Sequence, residues 1–312
     1  MKISTATPIG LVGLGNMGLG VAENLLKHGF SLTVHERSNK VRQWGTGRKG
    51  VRLNSSLKEL AQASRVVLLT VTDNAALDEV LYSKNAILAG LHRGDLVIDM
   101  TTGDPALAIR NQKRLAKRGF RMLEAPMTGG AVGARAGTLL LMVGGDMRLC
   151  KDCQPLFAAI SNKVVYAGGA GMGQKVKLLQ NQLSFTLFLA TCEALWAGKA
   201  FGFDPALLID VFQNSNARSY ETELRFPRFI LSNTFQSGAA IRVAYKDLKL
   251  ITNLENRLKM DLPLALRTRQ YWEMALERFD GQADFTEVYK LIQNNKELQN
   301  LIHRIGKSRS PK

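Results

Sequence analysis

Cysteine is scarce in this chain of 312 residues, with Cys150, Cys153 and Cys192 its only three. That is too few for a disulfide framework. Cys150 and Cys153 form a lone C-x-x-C with no second pair and no C-x-x-H nearby, so no metal centre is expected. Long clean apolar runs are also missing. The longest apolar stretch, Leu183 to Phe203, contains Glu193 and Lys199 and reads as a buried helix rather than a membrane span. The start of the chain runs straight into a strand-like segment, with no apolar region ahead of a small-residue cleavage site, which points to the cytoplasm. No low-complexity stretch interrupts the sequence, and 46% hydrophobic with 22% charged residues excludes disorder for its body. Acid is in deficit: 26 Asp and Glu stand against 42 Lys and Arg, a formal charge of +16. The excess suggests an anionic partner, and composition leaves nucleic acid, a membrane surface and a phosphate-bearing small molecule all open.

What is present is enough length for two domains, since single cores stop growing at about 250 to 300 residues. From Ile9 to about Gly168, short apolar runs alternate with amphipathic stretches. The runs begin at Ile9, Ser31, Val66, Leu96, Arg121, Leu139 and Val164. Four or five residues rich in Val, Ile and Leu are what strands buried on both faces look like, and the stretches between them supply crossover helices. The expected class is α/β, a Rossmann-type doubly wound parallel sheet over residues 1–167. After Gly168 helical periodicities take over, giving an all-α domain over 168–300. It is built on a long helix from about Met172 to Lys199 with no wet face, which must be surrounded by protein. That helix suggests a homo-oligomer, dimer or tetramer, formed through the all-α domain. The basic tail over 301–312 has nothing to bury and is expected to be disordered.

Gly13-Leu14-Gly15-Asn16-Met17-Gly18 is a G-x-G-x-x-G between the first buried strand and an amphipathic helix, where a dinucleotide fingerprint belongs. The first glycine permits the tight turn, the second lets backbone approach a pyrophosphate, and the third lets helix pack on strand. The helix start then offers N–H groups and a positive dipole to the anion. Glu36 ends the second strand, where an acid accepts from ribose hydroxyls and repels a 2′-phosphate. Arg37, Ser38 and Lys40 follow at once and suit that phosphate, so NAD and NADP both stay open. From Arg37 to Arg52 there are six basic residues and no acid, which also fits a solvated basic loop. Thr128-Gly129-Gly130 follows the fifth run, at the strand edge where α/β sheets bind ligands, and its hydroxyl and exposed N–H groups suit a carboxylate. Lys177 and Asn181 are four residues apart on one helical face, and a lysine in a buried helix is costly without a task. Lys175, two positions away, faces elsewhere.

The segments Gly13 to Gly29, Glu124 to Gly145, Gly171 to Asn181 and Lys246-Asp247, in that order, resemble the β-hydroxyacid dehydrogenase family over about residues 8 to 298. The resemblance implies hydride transfer between a nicotinamide dinucleotide and a small 3-hydroxy acid, or the corresponding semialdehyde or keto acid. It makes Lys177 the general acid/base, with Asn181 beside it orienting the ligand. Thr128, Gly129 and Gly130 become the substrate-carboxylate loop, Thr102 a cofactor contact and Lys246 the cofactor-binding lysine; Val71 and Thr72, which end the third strand at the same edge, are expected by position to line the adenosine-side wall. The family most often has Ser at the position of Thr128 and often Asn at that of Gln180, which leaves pocket size open. A free lysine titrates near 10.4, too high for base catalysis at neutrality, so burial or the nicotinamide charge has to lower it.

Other readings use the same fold differently. Arg110, Lys113, Arg114, Lys117, Arg118 and Arg121 form a basic stripe on the helix before the fifth run, which nucleic acid could use. The wet face of a helix burying Leu107, Leu115 and Phe120 is the favoured account, and no nucleic-acid motif accompanies it. A nucleic-acid-binding scaffold, a cofactor sensor and an imine reductase are the alternatives. Imine reductases share the architecture but generally lack the lysine. Residues of the second domain, Asn214 to Ser219 and Arg225 among them, are candidates for substrate selectivity.

Overall fold

The computed structural model describes residues 2–293. The expected basic tail, 301–312, and the last residues of the expected all-α domain lie outside the described residues. The chain divides into two compact units, Met1–Lys177 and Leu178–Lys312.

The first unit carries strands β1 (Ile9–Val12), β2 (Leu32–His35), β3 (Val51–Asn54), β4 (Val66–Leu69), β5 (Leu96–Asp99), β6 (Arg121–Glu124), β7 (Met127–Thr128), β8 (Leu139–Gly144) and β9 (Ser161–Gly168). Its helices are α1 (Asn16–Lys27), α2 (Asn39–Gly45), α3 (Leu57–Gln62), α4 (Asn74–Tyr82), α5 (Pro105–Lys117), α6 (Gly130–Ala136), α7 (Met147–Asp152) and α8 (Gln154–Ala158). The sheet order is β3-β2-β1-β4-β5-β6-β8-β7, with β9 paired to β8. Strands β1 to β6 pair in parallel, whereas β8 runs antiparallel to β6 and β7. The chain therefore winds outward in both directions from β1 and β4. That reversal leaves a crevice at the carboxyl ends of the strands.

Both faces of the parallel part are buried, as the apolar runs require. In β4, Val66 and Leu68 join the core on one side, with Leu11, Leu32 and Ile98, while Val67 and Leu69 join the core on the other, with Val12 and Val97. The strand β3 has no apolar run to announce it. It is an edge strand of mixed burial, Val-Arg-Leu-Asn, recognisable only by its pairing with β2. The stretch 37–52, readable as a solvated loop, holds α2 and the start of β3. The stripe from Arg110 to Arg121 is likewise not one helical face, because α5 stops at Lys117, Arg118 is its cap and Arg121 opens β6. Its side chains have local uses: Arg110 pairs with Asp78 at 3.3 Å, Arg114 lies 4.0 Å over the Tyr82 ring, and Arg121 Nε donates to the Gly94 carbonyl.

The helix α9 (Met172–Ala200) leads into the second unit. There follow α10 (Pro205–Gln213), a wide-turned π-helix over Glu221–Leu231 containing Pro227, α11 (Ile241–Arg257), α12 (Pro263–Arg278) and α13 (Val288–Gln293). The core centres on Phe188, Phe226, Trp272 and Phe285, with ring centroids 5.4 to 6.0 Å apart where Phe188 meets the other three. The expected all-round burial of α9 is not met within one chain. Leu179, Leu183 and Leu187, one turn apart, are 52%, 61% and 39% exposed. Among the described residues no helix is long and apolar enough to cross a membrane.

Candidate active site

The turn after β1 is shaped by backbone crowding. A Cβ on Gly18 would lie 1.9 Å from the Gly13 carbonyl oxygen, so only glycine lets α1 begin this close to the strand. Gly15 differs, since a Cβ there would meet nothing within 4 Å. It caps α1 without a side-chain bond, and the first turn, Asn16, Met17 and Gly18, carries no acid. A cavity of about 560 Å³ opens against this turn, lined by Gly13, Leu14, Gly15, His35, Arg37, Ser38, Thr70, Val71 and Thr72 among others. The empty space at Gly15, which a side chain would fill, together with an uncapped helix start fits a bound pyrophosphate. The residues present therefore fit a dinucleotide. Thr70 secures the turn by donating its hydroxyl to the Gly13 carbonyl. Burial lowers the pKa of His35 below its ordinary 6.5, so the cationic side chain on this wall is Arg37. Glu36 is not among the lining residues. Its carboxylate is gripped by Arg42, with Nη2 at 2.5 Å and Nε at 2.6 Å.

The parallel register places the ends of β1, β4, β5 and β6 side by side, with Val12 opposite Leu69, Leu69 opposite Asp99 and Asp99 opposite Glu124. Thr102 follows β5 on this edge, after Thr101, whose N–H donates to Asp99. β8 runs downward and meets the end of β6 only at Gly144, so the β7–β8 pair, with Thr128 opposite Leu140, rises beyond the edge. Gly129 and Gly130 then turn at φ of +122° and +62°, backbone that other residues rarely adopt. The helix that follows, α6, docks on α1 through Asn24, whose amide donates to the carbonyls of Gly20 and Ala134 at 2.9 and 2.8 Å.

Two residues that sequence reasoning gave no role tie the start of α9 to this edge. Glu124, fully buried, accepts from the N–H groups of Gly173 at 2.8 Å and Gln174 at 3.3 Å. The Gln174 carboxamide accepts from Gly103 N–H at 2.9 Å and donates to the Thr101 carbonyl at 2.7 Å. The helix approaches so closely that a Cβ on Gly173 would sit 2.5 Å from the Met142 carbonyl oxygen. Burial pushes the Glu124 carboxyl up to about 7, against the opposing pull of the backbone N–H groups at the helix start. Its second oxygen has no hydrogen-bond partner. An acid closing a buried apolar strand was the only available signal. Three residues beyond Gln174, on the same helical face, Lys177 is 6% exposed, whereas Lys175 is half-buried.

In the helical unit, Asn181 donates to Asp247 at 2.6 Å, and Lys246 Nζ lies 3.0 Å from the other oxygen of the same carboxylate. Asp247, itself 3% exposed, thus holds both of the residues singled out from the sequence. Arg225, a selectivity candidate, is bound to buried Glu221 and lies 4.7 Å over the Phe285 ring. Asn214 donates to the Asp210 carbonyl.

Comparison with known proteins finds matches for both parts of the chain. Residues 8–168 match the model for the NAD binding domain of 6-phosphogluconate dehydrogenase, and residues 171–292 match that for the NAD-binding of NADP-dependent 3-hydroxyisobutyrate dehydrogenase. L-threonate dehydrogenase of Cupriavidus necator is 34% identical over 285 residues, covering 91% of this chain and 95% of the relative. The mitochondrial 3-hydroxyisobutyrate dehydrogenase of Mus musculus is 30% identical over 297 residues, 93% of this chain and 88% of the relative. A 3-hydroxyisobutyrate dehydrogenase structure from Salmonella typhimurium superposes with a TM-score of 0.82 at 25% identity, covering 91% of this chain and 99% of that one.

Proposed function

The chain belongs to the β-hydroxyacid dehydrogenase family and is an NAD(P)-dependent hydroxyacid dehydrogenase; on that premise we propose that Lys177 is its general acid/base. The observation that carries this reading is a buried lysine in the second turn of a helix whose first turn is clamped to the ends of β5 and β6 by Gln174 and Glu124. A lysine so placed cannot wander, and a positioned base contributes about 10²- to 10⁴-fold to a proton transfer. The nicotinamide dinucleotide, when bound, takes up or supplies the hydride. In the oxidation direction the neutral Lys177 amine removes the proton of the substrate hydroxyl as the carbon-bound hydrogen departs. In reduction the ammonium returns that proton to the carbonyl oxygen. The Thr128 hydroxyl and the N–H groups of Gly129 and Gly130 hold the substrate carboxylate, and Asn181, kept in place by Asp247, orients the ligand.

The substrate class we propose is a small 3-hydroxy acid or its semialdehyde, in line with the relatives' names. The exposed leucine stripe on α9 supports a homo-oligomer formed through the helical domain, because exposed apolar rows of this kind mark association surfaces. Three free, buried cysteines support a reducing compartment such as the cytoplasm. The test is turnover of C3 to C5 hydroxy acids and semialdehydes with both cofactors. Lys177→Ala is expected to lower kcat at least about 10²-fold while leaving dinucleotide binding intact, and undiminished turnover in that variant removes Lys177 from the reaction.

A further inference from the structure

The end of β2 presents three side chains in succession, and they do different things. A carboxylate here selects NAD in two ways: it accepts from the ribose 2′-hydroxyl, and it repels a 2′-phosphate. Both effects require an acid that is free and aimed at the ribose. Glu36 is neither. Arg42, on α2, grips one of its oxygens with Nη2 at 2.5 Å and Nε at 2.6 Å, and the carboxylate stands outside the set of cavity-lining residues. A charge-assisted contact of this kind occupies that oxygen and offsets part of the carboxylate's charge.

The next two residues do line the cavity. Arg37 and Ser38 sit on its wall beside His35, and among the described residues Arg37 has no carboxylate partner. A guanidinium is a planar fork suited to a phosphate dianion, and a serine hydroxyl adds a donor. The acid that does line the cavity, Glu79, is on α4 rather than at the end of β2. The excess of base over 37–52 thus has a division of labour: Arg42 withdraws the acid, Arg48 pairs with Glu23 and lies over Trp44, and Arg37 is left facing the cavity.

Resting on the reading that this cavity takes a nicotinamide dinucleotide, we propose that the chain takes NADP(H) in preference to NAD(H), and that Arg42 is a specificity-determining residue that acts by withdrawing Glu36 from the ribose. Arg37 and Ser38 then receive the 2′-phosphate.

The experiment is an equilibrium titration of the full chain with NADPH and with NADH, read by nicotinamide fluorescence, a measurement that needs no substrate. NADPH is expected to bind at least about tenfold more tightly, the equivalent of one charge-assisted contact. Arg37→Ala weakens NADPH binding far more than NADH binding and so removes most of that advantage. Arg42→Gln, which frees Glu36, narrows the NADPH-to-NADH ratio by a similar factor, and Glu36→Gln added to it restores the ratio. A wild-type chain that binds NADH as tightly as NADPH overturns the proposal, as does a ratio unmoved by Arg42→Gln. Binding of neither dinucleotide overturns the reading of the cavity itself, and this inference with it.

Discussion

The two halves of the sheet's carboxyl edge are built by different physics. At the turn after β1 the restraint is steric: backbone meets backbone at Gly13 and Gly18, and no titratable group takes part in shaping the turn. At the ends of β5 and β6 the restraint is polar and buried. Glu124 and Gln174 hold the first turn of α9 through four hydrogen bonds. A steric turn gives a shape that pH does not alter. A clamp built on a buried carboxyl couples the placement of Lys177 to protonation, since that carboxyl sits near 7.

The contrast is broken most severely by Gly18→Ala. With the new methyl 1.9 Å from a carbonyl oxygen that cannot swing away, the turn has to open, at a cost of about 3 kcal/mol. Thermal unfolding should register that loss at every pH, and dinucleotide titration should show no saturable binding. An unchanged melting temperature would mean that the turn is not held by crowding.

The clamp predicts a pH dependence of the opposite character. The Glu124 carboxyl is raised from 4.5 to about 7 in the fold, so between those values the unfolded chain binds fewer protons than the folded one. The stability that Glu124 contributes is full below about pH 4.5 and declines as pH rises to about 7, by up to roughly 3 kcal/mol at 1.36 kcal/mol per unit. The difference in unfolding free energy between wild type and Glu124→Gln, followed from pH 4.5 to 8, should trace that slope and level off above 7. A flat difference would place the carboxyl at its ordinary value.

Gly15→Ala sharpens the comparison at the small end. Its backbone, φ −75° and ψ −167°, suits any residue, and its Cβ meets no atom of the chain. Stability should therefore change by less than about 0.5 kcal/mol, while the methyl intrudes where the pyrophosphate binds and weakens dinucleotide affinity about tenfold. Affinity equal to wild type would show that the ligand passes elsewhere.

The parallel strands, the glycine turn and the long helix were legible because each is a local pattern. Runs such as Val66 to Leu69 need no knowledge of their neighbours to read as buried strand, and the glycine spacing follows from the demands of one turn. The edge strand β3 was missed because half of it is polar and its partner, β2, is what makes it a strand. The clamp was missed because Glu124 and Gly173 are 49 residues apart, and no spacing rule relates a strand end to a helix start at that distance. The contact between Asp247 and Asn181 hid for the same reason, the two lying 66 residues apart.

Local chemistry therefore determined which residues were available: an acid and an arginine at the end of β2, a lysine in a buried helix, a glycine turn that admits an anion. Only the tertiary structure decided what each was free to do. Burial and pairing act through space, so the neighbours a side chain acquires on folding set whether its charge is offset, exposed or held against a ligand. Glu36 looks like a selector of ribose until Arg42 is seen gripping it.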